Sequence, residues 1–229
     1  MSRAGAVKGA VRQPSSAAVA GLLFSVLLIV SVSLFRSVAP DTLAHAGAWT
    51  SDADARRTVS LALDLLPFAG IAFLWFVAVV RSQLGDREDR FFETVFLGSG
   101  LVFVSALFVS AAALGAVLHI TVETPVPEGV AAYAWVFASV LLGSFGMRMA
   151  AVFTLSLTTA GLRGRSLPRW IVLVSYLVGL LLLLTPPLPN LAQFLFPLWV
   201  GLISVVVLLR RHGSASAHDS EGPARDPEA

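Results

Sequence analysis

The sequence predicts an all-α integral membrane bundle of six transmembrane helices with both termini in the cytoplasm. Three observations carry that expectation. The 229 residues are 56% hydrophobic and only 13% charged, with a mean hydropathy of +0.82, where a soluble domain carries about 25% charged residues. Six apolar stretches approach the roughly 20 residues that cross about 30 Å of hydrocarbon at about 1.5 Å per residue. The basic residues alternate from one connection to the next, as membrane sidedness requires. This composition excludes a soluble enzyme, a disordered chain and a nucleic-acid-binding module. Net charge is only +2, and the basic residues are scattered. Without cysteine there is no disulfide framework, thiolate metal site or thiol nucleophile.

Residues 1–16 carry Arg3, Lys8 and Arg12 with little apolar surface, and are expected to form a cytoplasmic tail without fixed structure. The first span is Ala17–Phe35. A signal peptide is the competing reading, because Ala44-His-Ala46 resembles a cleavage site. A secretory core is shorter, about 7–15 residues, and its cleavage site lies closer, so an uncleaved helix is expected. The second span is Val59–Val80. The connector Arg81–Arg90 then holds three arginines and three acids, net zero. It is no polybasic lipid patch, and pairs such as Asp86 and Arg90 suit a solvated turn or a partner contact.

The third span is Glu93–His119 and the fourth is Val130–Ala150. Apolar residues continue from Val130 to Leu162, about 50 Å if wholly helical. That exceeds one bilayer thickness, so the fourth span is expected to end near Met149, with Ala150–Leu162 lying near the membrane surface. The fifth span, Trp170–Leu184, is short. Prolines 186, 187 and 189 cannot continue it and force a turn into the sixth, Leu191–Leu209. Residues 212–229, rich in Ser, Ala, Gly and acids, are expected to lack structure. Small residues four apart, Ala106–Ser110 and Ala111–Gly115 on the third helix and Ser139–Gly143 on the fourth, favour close helix approach. They nominate those two helices for the bundle centre.

Orientation follows from the cations. Twelve lie on alternate connections and tails: Arg3, Lys8, Arg12, Arg81, Arg87, Arg90, Arg163, Arg165, Arg169, Arg210, Arg211 and Arg225. Only Arg36, Arg56 and Arg57 lie on the opposite side, which is therefore the outside. Tyr133 and Trp135 fall near the outer end of their helix, and Trp75 and Trp170 toward inner ends, the depths amphipathic rings prefer. Trp199 falls mid-helix and is expected to pack on a neighbour.

An ionisable group inside a span costs a few kcal/mol and is a functional candidate by default. Four qualify. Asp64 lies about 9 Å into the second span, beside Pro67, which frees backbone groups nearby. His119 ends the third span on the same side. A carboxylate–imidazole pair facing a cavity can relay protons, since imidazole titrates near neutral pH; the plainer reading has both in reach of water or headgroups. Arg148 and Glu93 are expected together near the cytoplasmic boundary, either as an ion pair or with Arg148 snorkelling to phosphates.

Familiar chemistry is missing. Only His119 is near a span, so paired-histidine haem ligation is not expected, and no His-Glu-x-x-His zinc motif occurs. Gly98-Ser-Gly100 has no histidine at its depth to act as base. No phosphate loop or dinucleotide fingerprint appears. No catalytic residue, metal or cofactor is expected.

The stretches Pro67-Phe-Ala-Gly-Ile-Ala-Phe-Leu-Trp-Phe76, Leu84-Gly-Asp-Arg-Glu-Asp-Arg-Phe-Phe92 and Thr94-Val-Phe-Leu-Gly-Ser-Gly100 resemble a group of actinobacterial polytopic membrane proteins of unknown function. Fifteen arginines against one lysine suit a high-GC genome. The resemblance implies membrane placement and no particular activity. The expected function is that of a non-enzymatic protein of the cytoplasmic membrane, in contact with the lipid bilayer, packing with itself or another membrane component. The alternative is a small transporter or channel using Asp64 as its ion- or proton-coupling site.

Overall fold

The computed structural model describes residues 14–40, 42, 45–84, 90–163, 168–184 and 192–219. Among them there is no strand. Helix α1 spans Pro14–Ser37, and a 3-10 turn, Ala48–Thr50, leads into α2, Ala53–Leu84. Helix α3 is Arg90–Glu123 and α4 is Glu128–Val140. A π-helical segment, Leu141–Gly146, joins α4 directly to α5, Met147–Arg163. Helix α6 is Arg169–Leu184 and α7 is Ala192–Asp219. Four stretches are long and apolar enough to cross a membrane: Ser16–Ser37, Ala53–Ser82, Thr94–Glu123 and Glu128–Leu162. Two shorter apolar helices, Arg169–Leu184 and Gln193–Leu209, complete the set.

The helix ends have local causes. Proline at the first position of α1 sacrifices an amide with no helical partner. Asp52 caps α2, its Oδ1 accepting from the Asp54 amide at 3.0 Å. Proline carbonyls open α4 and α6, where Pro127 O accepts from Val130 N and Pro168 O from Ile171 N. Pro67 and Pro197 lie inside α2 and α7 and remove one helical hydrogen bond each. The charged ends carry α2 several residues past the apolar stretch Val59–Val80 at both ends, because a capped helix needs no lipid to continue.

Three expectations change. The fourth apolar stretch does not stop near Met149: α4, the π segment and α5 form one path of about 54 Å from Glu128 to Arg163. Residues 150–162 run along the bundle, and Phe153 and Thr154 are fully buried there. Glycines 143 and 146 let the helix widen by a turn without breaking. Helix α4 does not lie at the bundle centre, because it packs chiefly on α3 and the 3-10 turn, with Trp135 against Phe35 of α1, whereas α3 touches α2, α4, the π segment and α5. Finally, α7 stays helical through Asp219, into the stretch expected to lack structure. A helix already nucleated by packing extends cheaply through residues such as Ala215 and Ala217. The charged connector and the proline-rich turn fall mostly at 85–89 and 185–191, outside the described residues, as do 1–13 and 220–229.

The helices close a ring in the order α1, α2, α3, α5, α6, α7, with α7 returning to α1. Its middle is filled by phenyl rings. Phe73 of α2 lies 4.7 Å from Phe24 of α1, 5.3 Å from Phe103 of α3, 5.1 Å from Phe153 of α5 and 5.7 Å from Phe196 of α7. Phe96 stacks on Phe153 at 4.6 Å. A second, smaller cluster at the other end of α2 gathers Trp49, Val59, Leu114 and Ala131. The buried Trp49 Nε1 finds no hydrogen-bond partner among the described residues, and its ring is held against Trp135 at 6.1 Å.

Between apolar helices the hydrophobic effect gives no preference for protein over lipid, so close packing and hydrogen bonds select the neighbours. A Cβ on Gly21 would meet the Ser204 hydroxyl and the Phe76 ring, so that glycine sets the approach of α1 to α2 and α7. Buried hydroxyls tie the seams. Ser31 Oγ donates to Ala62 O at 2.8 Å between α1 and α2, and Ser25 Oγ lies 2.7 Å from Pro197 O between α1 and α7. Trp199 Nε1 donates to Ser175 Oγ at 2.8 Å between α6 and α7, while its ring stacks on Phe196, so the mid-helix tryptophan does pack on a neighbour. Ser175→Ala strands a fully buried donor and should cost about 1–3 kcal/mol, whereas Trp199→Phe in that background should add little through the hydrogen bond. A double-mutant cycle of unfolding free energies in detergent checks this; purely additive losses would show that the bond contributes nothing.

Candidate functional site: charged groups and an apolar cleft

Because the faces of α2 are all apolar, periodicity does not say which one Asp64 occupies. The structure puts it on the outward face. Asp64 is exposed, in a stripe with Leu61, Phe68, Ile71 and Trp75, which are 59%, 62%, 59% and 55% exposed. It lies about 10 Å along the axis from Arg57 and makes no hydrogen bond or ion pair with any described residue. His119 is exposed on α3. With Arg56, Arg57 and Ser60 it lines a shallow groove of about 610 Å³ between α2 and α3, to which Asp64 does not contribute. Asp64 and His119 thus share one end of the bundle and adjacent helices, without a hydrogen bond between them.

Arg148 does not fall at the end of its helical path. The path from Glu128 to Arg163 has its midpoint near residue 145, so Arg148 is about 4 Å from the middle. Its Nη1 donates to Ser144 O at 2.7 Å. Ser144 belongs to the π segment, in which Met147 N reaches back five residues to Leu142 O. The guanidinium therefore supplies a donor where the helical ladder is out of step, which gives the charge a structural task. Glu93 does not share its level. Phe153, five residues beyond Arg148, already stacks on Phe96, so the Glu93 backbone lies about 12 Å farther along the axis. The Glu93 side chain is outside the described residues.

A second space, more recessed than that groove, has a different origin. The π segment separates α5, which packs on α3, α6 and α7, from α4, which leans on α3 and the 3-10 turn. A cleft of about 480 Å³ opens where α4 parts from α1 and α7. Leu66, Leu107, Leu114 and Trp135 form apolar walls, Gly143 and Ser144 bring π-segment backbone to the surface, and Arg36, Thr42 and Gln193 are polar. The Arg36 guanidinium sits 6.0 Å above the Phe194 ring. Thr42 Oγ1 is hydrogen-bonded to His45 Nδ1 at 3.0 Å.

Sequence reasoning nominated Asp64, His119, Arg148 and Glu93, none of which lines the cleft, and did not single out Arg36 and Gln193, which sit at helix ends and do line it. The signal for the cleft was the excess length of the Val130–Leu162 run combined with the Gly143-Ser-Phe-Gly146 break, since π-bulges cluster at functional sites. No family model, curated protein or solved structure matches the chain.

Proposed function

We propose that the protein is a multi-pass component of the cytoplasmic membrane that works by lateral association with another membrane chain, and that it catalyses no reaction. The observation that carries this is Asp64. Ionisable groups in membrane helices normally face the bundle interior or pair with one another, yet this one stands on an outward apolar stripe with no partner among the described residues. A donor on a neighbouring membrane helix would satisfy it. A second copy fits less well, because two-fold packing of α2 on α2 sets Asp64 against Asp64 at equal depth. Six crossings with both termini inside suit the antiparallel order of the helices and the twelve cations of one side. The short helices α6 and α7 cross a locally thinned bilayer at small cost.

The competing reading, an ion- or proton-coupled carrier, needs a polar path from Asp64 through the bundle. Against it stand the outward aspect of Asp64 and the phenyl rings that fill the centre. The absence of cysteine makes the association testable. Cysteine placed at Leu61 or Phe68 should cross-link in native membranes to one partner of defined mass. Asp64→Leu should lower the yield about tenfold, equivalent to about 1.4 kcal/mol, with Asp64→Asn closer to wild type. No adduct, or a yield indifferent to Asp64→Leu, would remove the basis of the reading.

A further inference from the structure

We propose that the cleft between α1, α3, α4 and the π segment binds a single-chain anionic amphiphile, with its hydrocarbon chain among the apolar walls and its head at Arg36. This site is separate from the outward stripe of α2 and does not depend on the association proposed there. Three features of the cleft converge on this ligand class.

Size comes first. The volume of about 480 Å³ falls within the roughly 300–1,000 Å³ typical of small-molecule sites. A half-open space of this size takes one acyl-type chain and is too little for both chains of a phospholipid.

Polarity comes second. Leu66, Leu107, Leu114 and Trp135 line the cleft, Arg36 is the charged group of its described lining, and the other polar side chains there are neutral. Such a division matches a molecule with one long apolar part and one polar end.

Charge comes third. Among the described lining residues Arg36 is the one charged side chain. That guanidinium rests over Phe194 and forms no side-chain hydrogen bond with a described residue. Its planar fork of donors remains available to a carboxylate or phosphate, which it matches two bonds at a time. The rim residues Val136 and Ser139 are exposed, so a chain already dissolved in the bilayer can enter sideways without crossing water.

Trp135 in the cleft wall gives a direct readout. The purified full chain in nonionic micelles is titrated with dibrominated stearic acid, its methyl ester, or dibrominated phosphatidylcholine, and fluorescence quenching is followed. Subtracting the signal of Trp135→Phe isolates the cleft. The acid should quench saturably and at least tenfold more tightly than the ester, and the phosphatidylcholine should quench only weakly. Arg36→Gln should bring the acid down to the level of the ester, and Arg36→Lys should keep most of the preference. Ala111→Phe, which fills the cleft from α3, should abolish quenching by both. If that variant does not keep the wild-type elution volume, Ser139→Leu at the rim takes its place. Equal quenching by acid and ester, tighter quenching by phosphatidylcholine, or an acid preference untouched by Arg36→Gln or by the filled cleft would each overturn the proposal.

Discussion

Truncating Phe73 to alanine should lower the unfolding free energy in detergent by about 2–3 kcal/mol, the largest stability loss expected of any single side chain here. Phe73 is fully buried and its ring contacts those of four other helices, through Phe24, Phe103, Phe153 and Phe196. In a soluble core the same change costs about 3–5 kcal/mol, the sum of lost transfer energy and a cavity. Between helices surrounded by lipid or detergent the transfer part largely vanishes, since a phenyl ring is about as well solvated in lipid as in protein. The cavity part remains, at about 24 cal/mol per Å³ for a hole on the order of 100 Å³. Phe68→Ala is the control: the ring is 62% exposed on the same helix and should change stability by no more than about 0.5 kcal/mol. Denaturant titration followed by tryptophan fluorescence measures both. A loss at Phe68 equal to that at Phe73 would mean that the phenyl cluster is not the packing centre.

This contrast also explains what the amino-acid sequence could and could not convey. The helical class and the membrane-crossing stretches were legible because hydrocarbon thickness fixes a length that any apolar run reveals. Which face turns inward was not legible. Phe68 and Phe73 are the same residue type five positions apart, one outward and one at the centre of five helices, and an all-apolar helix carries no moment to tell them apart. For the same reason Asp64 could be placed in depth but not in azimuth. Arg148 was expected level with Glu93 because a helix assumed to end near Met149 puts both at one boundary, whereas a helix that continues to Arg163 sets the two about 12 Å apart along the axis. Its partner, Ser144 O, is a backbone atom, which no side-chain pattern announces. The glycines at 143 and 146 were visible; the widened turn they permit was not, because glycine pairs in membrane helices serve close packing at least as often.

Deleting Gly143 is expected to leave the fold nearly intact while removing the cleft function. A π segment is a helix that holds one residue more than an α-helical turn requires, so the flanking helices keep the phase they would have without it. Removing one residue from Leu141–Gly146 lets the ladder close four residues back, and the buried faces of α4 and α5 stay aligned with α3. Ser110 Oγ can still reach Ala138 O, and Phe153 can still stack on Phe96, because neither contact lies inside the segment. Two things are lost. The backbone of residues 143 and 144 withdraws from the cleft, and the Arg148 guanidinium loses the widened turn whose Ser144 O it bonds. Unfolding free energy should therefore stay within about 1 kcal/mol of wild type, the centre of the range for single mutations, while dibrominated stearic acid should bind at least tenfold more weakly. An ordinary helix-breaking deletion would instead shift every later residue by about 100°, turn Phe153 out of the phenyl cluster and unfold the bundle. The two outcomes differ in sign for stability and binding taken together. Collapse of the fold would show that the segment is structural scaffolding, whereas retained stability with lost binding would make it the device that opens the cleft.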